Sequence, residues 1–133
     1  MIVVDANVLI YWATEGPQTE AAESLYEKDP DWRTVPLWRY EFTNAMVLMV
    51  RKQVIAESKV IETISRAEAF LSPREHDVEQ TASLRIALHY QVSGYDAQYV
   101  ALAEHLKVTC VTADAPLVRK VPSHCSLLAD FLK

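Results

Sequence analysis

Two short apolar runs, one near each end of the chain, both lead to an aspartate. Ile2, Val3 and Val4 precede Asp5, and a second run rich in β-branched residues extends from Val108 to Asp114. Such runs are typical of buried parallel strands, and ligands of open α/β sheets bind beyond the carboxyl ends of these strands. We therefore expect both aspartates at one edge of a sheet. Carboxylates about 4 Å apart repel each other by about 1–4 kcal/mol, so we expect a cation between them.

Between these runs, segments with apolar residues at helical spacing alternate with short strand-like segments. This alternation predicts an α/β fold in which a central parallel sheet is flanked by helices. The chain of 133 residues contains no repeat or linker, so residues 1–133 are predicted to form a single domain. Helices are predicted over 8–13, 19–28, 57–71, 82–90, 95–106 and 116–119, and another helix is predicted to end near Val50. Further strands are predicted over 34–37 and 108–111, and residues 76–78 could form a short strand.

Composition and motifs exclude several classes of function. The net charge of −5 is unfavourable for binding nucleic acid through broad neutralisation of phosphates. Sequence motifs of P-loop hydrolases, dinucleotide-binding folds and serine hydrolases are absent, and the four histidines are scattered. No apolar segment approaches the roughly 20 residues that span a bilayer, and the first residues do not resemble a secretory signal. We therefore expect no membrane association and a cytoplasmic location.

Four acidic residues are the candidate functional groups, although each also has a structural explanation. Asp5 and Asp114 precede helices and are suitable N-caps. Asp96 follows Ser93 in a pattern that resembles a capping box. Glu41 begins a helical column that becomes apolar, which predicts that its carboxylate faces inward. Two of the acids follow strands and two begin inward-facing columns, so we expect all four to converge.

Converging carboxylates are typical of sites for hard divalent cations. Mg²⁺ and Mn²⁺ prefer oxygen ligands, and acids with neighbouring amides or hydroxyls commonly hold them together with water. Two such ions about 3.5–4 Å apart could activate a water and stabilise a leaving oxygen in phosphodiester cleavage. The acids therefore predict Mg²⁺- or Mn²⁺-dependent phosphodiester hydrolysis.

Four motifs resemble those of the PIN-domain ribonucleases, in particular the VapC-type toxins of bacterial and archaeal toxin–antitoxin pairs. The most specific is the segment Tyr95-Asp96-Ala97-Gln98-Tyr99-Val100-Ala101-Leu102-Ala103, followed about 18 residues later by a Thr-x-Asp motif. The resemblance spans nearly the whole chain. The matching segments are Val4–Leu9, Glu41–Ala45, Tyr95–Ala103 and Val111–Asp114.

This resemblance implies a PIN-like three-layer sandwich with a central parallel sheet, a homodimer, and a small antitoxin protein that covers the site. Ala6 is a departure, because many family members carry Ser or Thr beside the first acid. The resemblance also implies site residues: an acidic metal site of Asp5, Glu41, Asp96 and Asp114, supported by the polar groups of Asn7 and Thr112.

The leading hypothesis is therefore a Mg²⁺- or Mn²⁺-dependent endoribonuclease. Trp38, Arg39 and Tyr40 precede Glu41 closely enough to contact RNA at the rim of the site, although packing is the alternative for the two aromatic residues. Two other functions stay open, a non-catalytic PIN-fold interaction module and a receiver-like phosphoacceptor domain. The apolar stripe of the helix predicted over 57–71 is expected to form either core or part of a groove for an antitoxin segment.

Overall fold

Four short parallel strands form one sheet in the order β2-β1-β3-β4 in the computed structural model, which describes residues 1–133. The strands are β1 (Ile2–Val4), β2 (Trp32–Arg33), β3 (Cys110–Thr112) and β4 (Cys125–Leu127). Eight α-helices surround them: α1 (Ala6–Ala13), α2 (Thr19–Lys28), α3 (Trp38–Arg51), α4 (Glu57–Leu71), α5 (Gln80–Tyr90), α6 (Gly94–Leu106), α7 (Ala115–Lys120) and α8 (Leu128–Phe131). A 3₁₀-helix spans Ser72–Arg74. The predicted α/β class is confirmed.

The sheet separates two apolar clusters, because successive side chains of a strand point to opposite faces. Ile2 and Val4 of β1 pack in one cluster together with residues of α1, α2, α3 and α4. Val3, between them, packs in the other cluster together with Cys110 and residues of α5 and α6. The sheet therefore lies between two helical layers, and the predicted three-layer arrangement is confirmed.

The register of the central strands places the candidate site. Val3 pairs with Cys110 and Val4 with Val111, so β1 and β3 end side by side. Asp5 follows directly after β1, and Thr112 is the last residue of β3. Parallel pairing therefore brings both strand ends to the same edge of the sheet, as the sequence predicted.

Two predicted strands are wrong. The strand expected over 34–37 lies earlier, at Trp32–Arg33, and Thr34 forms only an isolated bridge with Glu75. Pro36 has no backbone N–H to donate to a ladder, and α3 begins two residues later. Residues 76–78 form no strand, and β3 begins at Cys110 rather than Val108.

Most of the apolar stripe of α4 belongs to the core. Val60, Ala67 and Leu71 are buried and Ile64 is partly buried, whereas Ile61 is 59% exposed. Of the two expectations for this stripe, core or groove, the structure therefore supports the core for most of its residues. None of the helices is both long and apolar enough to cross a membrane.

Candidate active site

A cleft of about 240 Å³ opens at the carboxyl end of β1. Its walls come from α1, α3 and α6, three helices that are distant in sequence. The residues that line it are Asp5, Ala6, Asn7, Ile10, Glu41, Asn44, Ala45, Leu48, Asp96 and Tyr99. Three of the four predicted acids therefore meet in one cavity.

Asp5 is the most buried acid of the cleft, with 7% of its surface exposed. It caps α1, because one carboxylate oxygen accepts a hydrogen bond of 3.2 Å from the backbone N–H of Val8. The other oxygen accepts a hydrogen bond from the hydroxyl of Thr112. Burial raises the pKa of Asp5 to about 6; these two hydrogen bonds oppose the shift, and repulsion from Asp96 and Glu41 adds to it.

Glu41 lies in the first turn of α3 and is partly buried. The phenol of Tyr99, which is only 2% exposed, donates a hydrogen bond of 2.7 Å to Oε1 of Glu41. Burial raises the pKa of Glu41, the bond from Tyr99 lowers it, and repulsion from Asp96 raises it further. Burial and the neighbouring Glu41 also raise the pKa of Tyr99, so the phenol stays protonated and donates.

Asp96 lies in the first turn of α6, one turn before Tyr99. The helix cap is Ser93, whose Oγ accepts a hydrogen bond of 3.0 Å from the backbone N–H of Asp96. Burial raises the pKa of Asp96, repulsion from Asp114 adds to the rise, and Ser93 and Lys120 oppose it. The carboxylate of Asp96 is therefore not needed as the cap and is available to the cleft.

Asp114 lies beside the cleft rather than in its lining. Its Oδ1 caps α7 by accepting a hydrogen bond of 3.1 Å from the backbone N–H of Leu117. Its own backbone N–H donates to Oγ1 of Thr112 at 3.0 Å. Since the same hydroxyl donates to Asp5, Thr112 connects the two aspartates that follow β1 and β3.

The donor set of the cleft fits a hard divalent cation in its chemistry. Its walls provide three carboxylates and the exposed amides of Asn7 and Asn44, and no lysine or arginine lines it. The pKa values of all three acids are raised, mainly by burial and to a smaller extent by repulsion from neighbouring carboxylates. No three of the acidic, histidine and cysteine side chains form a ready coordination group, so water would have to complete the ligand shell.

The three residues predicted to contact RNA do not line the cleft. Trp38 is only 1% exposed and its indole donates a hydrogen bond of 2.6 Å to Glu75, which favours packing, the alternative expected for this residue. Arg39 donates to the same Glu75 oxygen at 2.7 Å. Tyr40 is 73% exposed, and its contact with RNA stays a prediction.

Sequence reasoning missed four residues of the cleft as functional candidates. Asn44 and Leu48 follow Glu41 at helical spacing, Ile10 follows Asn7 in the same way, and Tyr99 follows Asp96 by one turn. This spacing was a usable signal, because residues three or four apart share a helix face.

Comparison with known proteins agrees with this architecture. The family model described as PIN domain matches residues 2–121. Ribonuclease VapC3 from Pyrobaculum aerophilum is 27% identical over 125 residues, which cover 92% of this chain and 95% of that protein.

Two solved structures have the same fold. PAE2754 from Pyrobaculum aerophilum superposes with a TM-score of 0.78 at 21% sequence identity, and the match covers 98% of this chain and 92% of the PAE2754 chain. FitAcB from Neisseria gonorrhoeae has a TM-score of 0.68 at 16% identity, with 96% of both chains covered. With its four motifs, its sheet and the family match in agreement, the chain belongs to the PIN-domain family.

Proposed function

We propose that this protein is an endoribonuclease that depends on Mg²⁺ or Mn²⁺ and is the toxin of a toxin–antitoxin pair. The convergence of Asp5, Glu41 and Asp96 in one cleft without a lining lysine or arginine carries this proposal. Membership in the PIN-domain family and the similarity to a protein named Ribonuclease VapC3 support the choice of RNA as substrate.

The chain's own residues would hold the site in a fixed geometry. Val8 and Thr112 fix both oxygens of Asp5, and Tyr99 fixes one oxygen of Glu41. These carboxylates and Asp96 would hold the divalent ion, with Asp114, Asn7 and Thr112 as supporting groups. Such an ion, when bound, supplies positive charge for the phosphate and lowers the pKa of a water. Fixed ligands lose little freedom on binding, which favours a precise site.

RNA cleavage by the purified protein tests this function. We expect cleavage with Mg²⁺ or Mn²⁺, none with chelator, and a loss of at least about 100-fold in Asp96→Asn, since several kcal/mol of metal-dependent stabilisation are removed. Asp77→Asn is the matched control, because Asp77 is exposed and lies outside the cleft. Wild-type cleavage that persists in Asp96→Asn would contradict the site, and binding of RNA without cleavage would favour a non-catalytic module.

We further propose a cytoplasmic homodimer that binds a small antitoxin protein. Family resemblance supports both partners, and a cavity of about 270 Å³ between α3 and α4 offers an apolar groove for an antitoxin segment. Light scattering at micromolar concentration tests the homodimer. Co-expression with a small protein encoded beside this gene tests the antitoxin. A strict monomer that retains no partner would contradict this part of the proposal.

A further inference from the structure

Beyond its acids, the cleft changes in polarity along two of its helical walls, α3 and α1. On α3, Asn44 follows Glu41 by three residues and Leu48 follows Asn44 by four; on α1, Ile10 follows Asn7 by three. At about 1.5 Å of rise per residue, the amide on α3 lies about 4.5 Å, and the leucine about 10 Å, along the helix axis from the acid. The cleft therefore passes from charged groups through neutral amides to aliphatic side chains.

These outer groups are accessible. Asn7 and Asn44 are exposed, and Leu48 keeps 45% of its surface exposed although leucine is more often buried. Ile10 also lines the cleft, but it is only 9% exposed and belongs to the core. An amide offers both donors and an acceptor without charge, so this part of the cleft suits a neutral planar ligand better than a second phosphate.

The same order of polarity is found in a nucleotide. Its phosphate is anionic, the edges of its base carry hydrogen-bond donors and acceptors, and the faces of the base are apolar. Asparagine pairs well with such an edge in nucleic-acid recognition, and an apolar side chain can cover a face. In a duplex the faces are stacked and the Watson–Crick edge is occupied, so only an unpaired base presents all of them.

We propose that Asn7, Ile10, Asn44 and Leu48 form a subsite for one unpaired nucleobase next to the scissile phosphate. The subsite rests on the proposed nuclease function and requires that the base beside the scissile phosphate is unpaired. Asn44 reads the edge of the base and so sets the nucleotide preference. Leu48 contacts the face, which every base has, and so contributes to affinity without discriminating among bases.

A matrix of RNA oligonucleotides tests this division of roles. The RNAs are single-stranded and identical except for the two nucleotides that flank one cleavage site, and kcat/KM is measured for each. We expect the wild type to prefer its best nucleotide by at least about 10-fold, the lower range for one well-placed amide contact. Asn44→Ala should abolish most of this preference, Leu48→Ala should lower kcat/KM for all RNAs by a similar factor, and the best RNA should be cut poorly in a duplex.

Ser65→Ala is the control, because Ser65 is exposed on α4 and lines neither the cleft nor the groove between α3 and α4. Binding of the same RNAs to Asp96→Asn, with and without Asn44→Ala, provides a second readout that needs no turnover. Circular dichroism confirms that each variant is folded. Binding that keeps its nucleotide preference in the absence of the Asn44 amide would overturn the subsite.

The two proposals fail in different ways. A wild type that cuts every RNA of the matrix equally overturns the base subsite and leaves the nuclease function standing. An equal loss for all RNAs in Asn44→Ala also overturns it, since that result indicates a general structural role. A wild type that cuts none of the RNAs overturns the nuclease function and the subsite with it.

Discussion

The two aspartates that follow β1 and β3 make similar hydrogen bonds but differ in how deeply they are buried. Each caps a helix by accepting a hydrogen bond from a backbone N–H three residues later, at Val8 or Leu117. Each is also connected to the hydroxyl of Thr112. Asp5, however, is 93% buried inside the cleft, whereas Asp114 is half-buried and lies outside its lining.

The comparison shows that helix capping and a role in the acidic site are not alternatives. A capping hydrogen bond needs one carboxylate oxygen, so the second oxygen and the charge remain available. Burial next to Glu41 and Asp96 makes the charge of Asp5 costly in the absence of a cation. Asp114 is less buried than Asp5, so we expect its charge to be better solvated. The difference between the two positions can be measured.

Cleavage should show the largest difference. We expect Asp5→Asn to lower kcat/KM for RNA by at least about 100-fold, because it removes the most central charge while an amide keeps the cap. Asp114→Asn should cost about 10- to 100-fold, the range for a supporting group beside a metal site. The rates of both variants are compared with the wild type at saturating Mg²⁺. Equal losses would mean that Asp114 is as central as Asp5.

Stability without metal should change in the opposite direction at position 5. Since burial raises the pKa of Asp5 from 3.8 to about 6, the ionised carboxylate costs the folded state about 3 kcal/mol at pH 7. Asp5→Asn should therefore unfold at higher urea concentration than the wild type in chelator. Mg²⁺ should stabilise the wild type and much less the variant. A variant that is less stable than the wild type in chelator would contradict the repulsive cleft.

The pH dependence of stability follows from the same shift. Because the folded state binds the proton of Asp5 more tightly than the unfolded state, the favourable contribution is fully present below pH about 4 and is lost as the pH rises through about 6. The stability difference between Asp5→Asn and wild type should thus be small at pH 4 and reach its full size at pH 7. Urea unfolding in chelator at several pH values measures it, and a difference that is constant with pH would refute the assignment to Asp5.

The strand ends could be predicted from sequence because their signals are local. A β-branched run that ends in an acid identifies β1 and β3, and parallel pairing then places Asp5 near Thr112. The bond between Tyr99 and Glu41 joins residues 58 positions apart and depends on how α3 and α6 are placed around the cleft. No periodicity within either helix contains that information.

Residues near the start of α3 show the same limit. Trp38 precedes Glu41 by less than one turn, and its distance from the acid in sequence suggested a place at the rim. Its indole is instead buried against Phe42 and hydrogen-bonded to Glu75, which follows the 3₁₀-helix. The isolated bridge from Thr34 to Glu75 holds that segment beside α3. Sequence gave no local signal for this long-range contact.

The smallest expected effect is the contribution of the Asp114 helix cap to the free energy of unfolding. It serves as a reference for how much Asp5 would contribute if its only role were to cap α1. Asp114→Ala removes the acceptor for the backbone N–H of Leu117 and should lower the free energy of unfolding by about 1 kcal/mol, with or without Mg²⁺. Asp114→Asn keeps that acceptor and should stay within a few tenths of a kcal/mol of the wild type in chelator, because asparagine caps about as well as aspartate. At position 5 the same amide is expected to stabilise the protein by several times more. Urea unfolding of all three variants in chelator gives the ranking, and a gain at position 114 as large as that at position 5 would show that both carboxylates share one desolvated site.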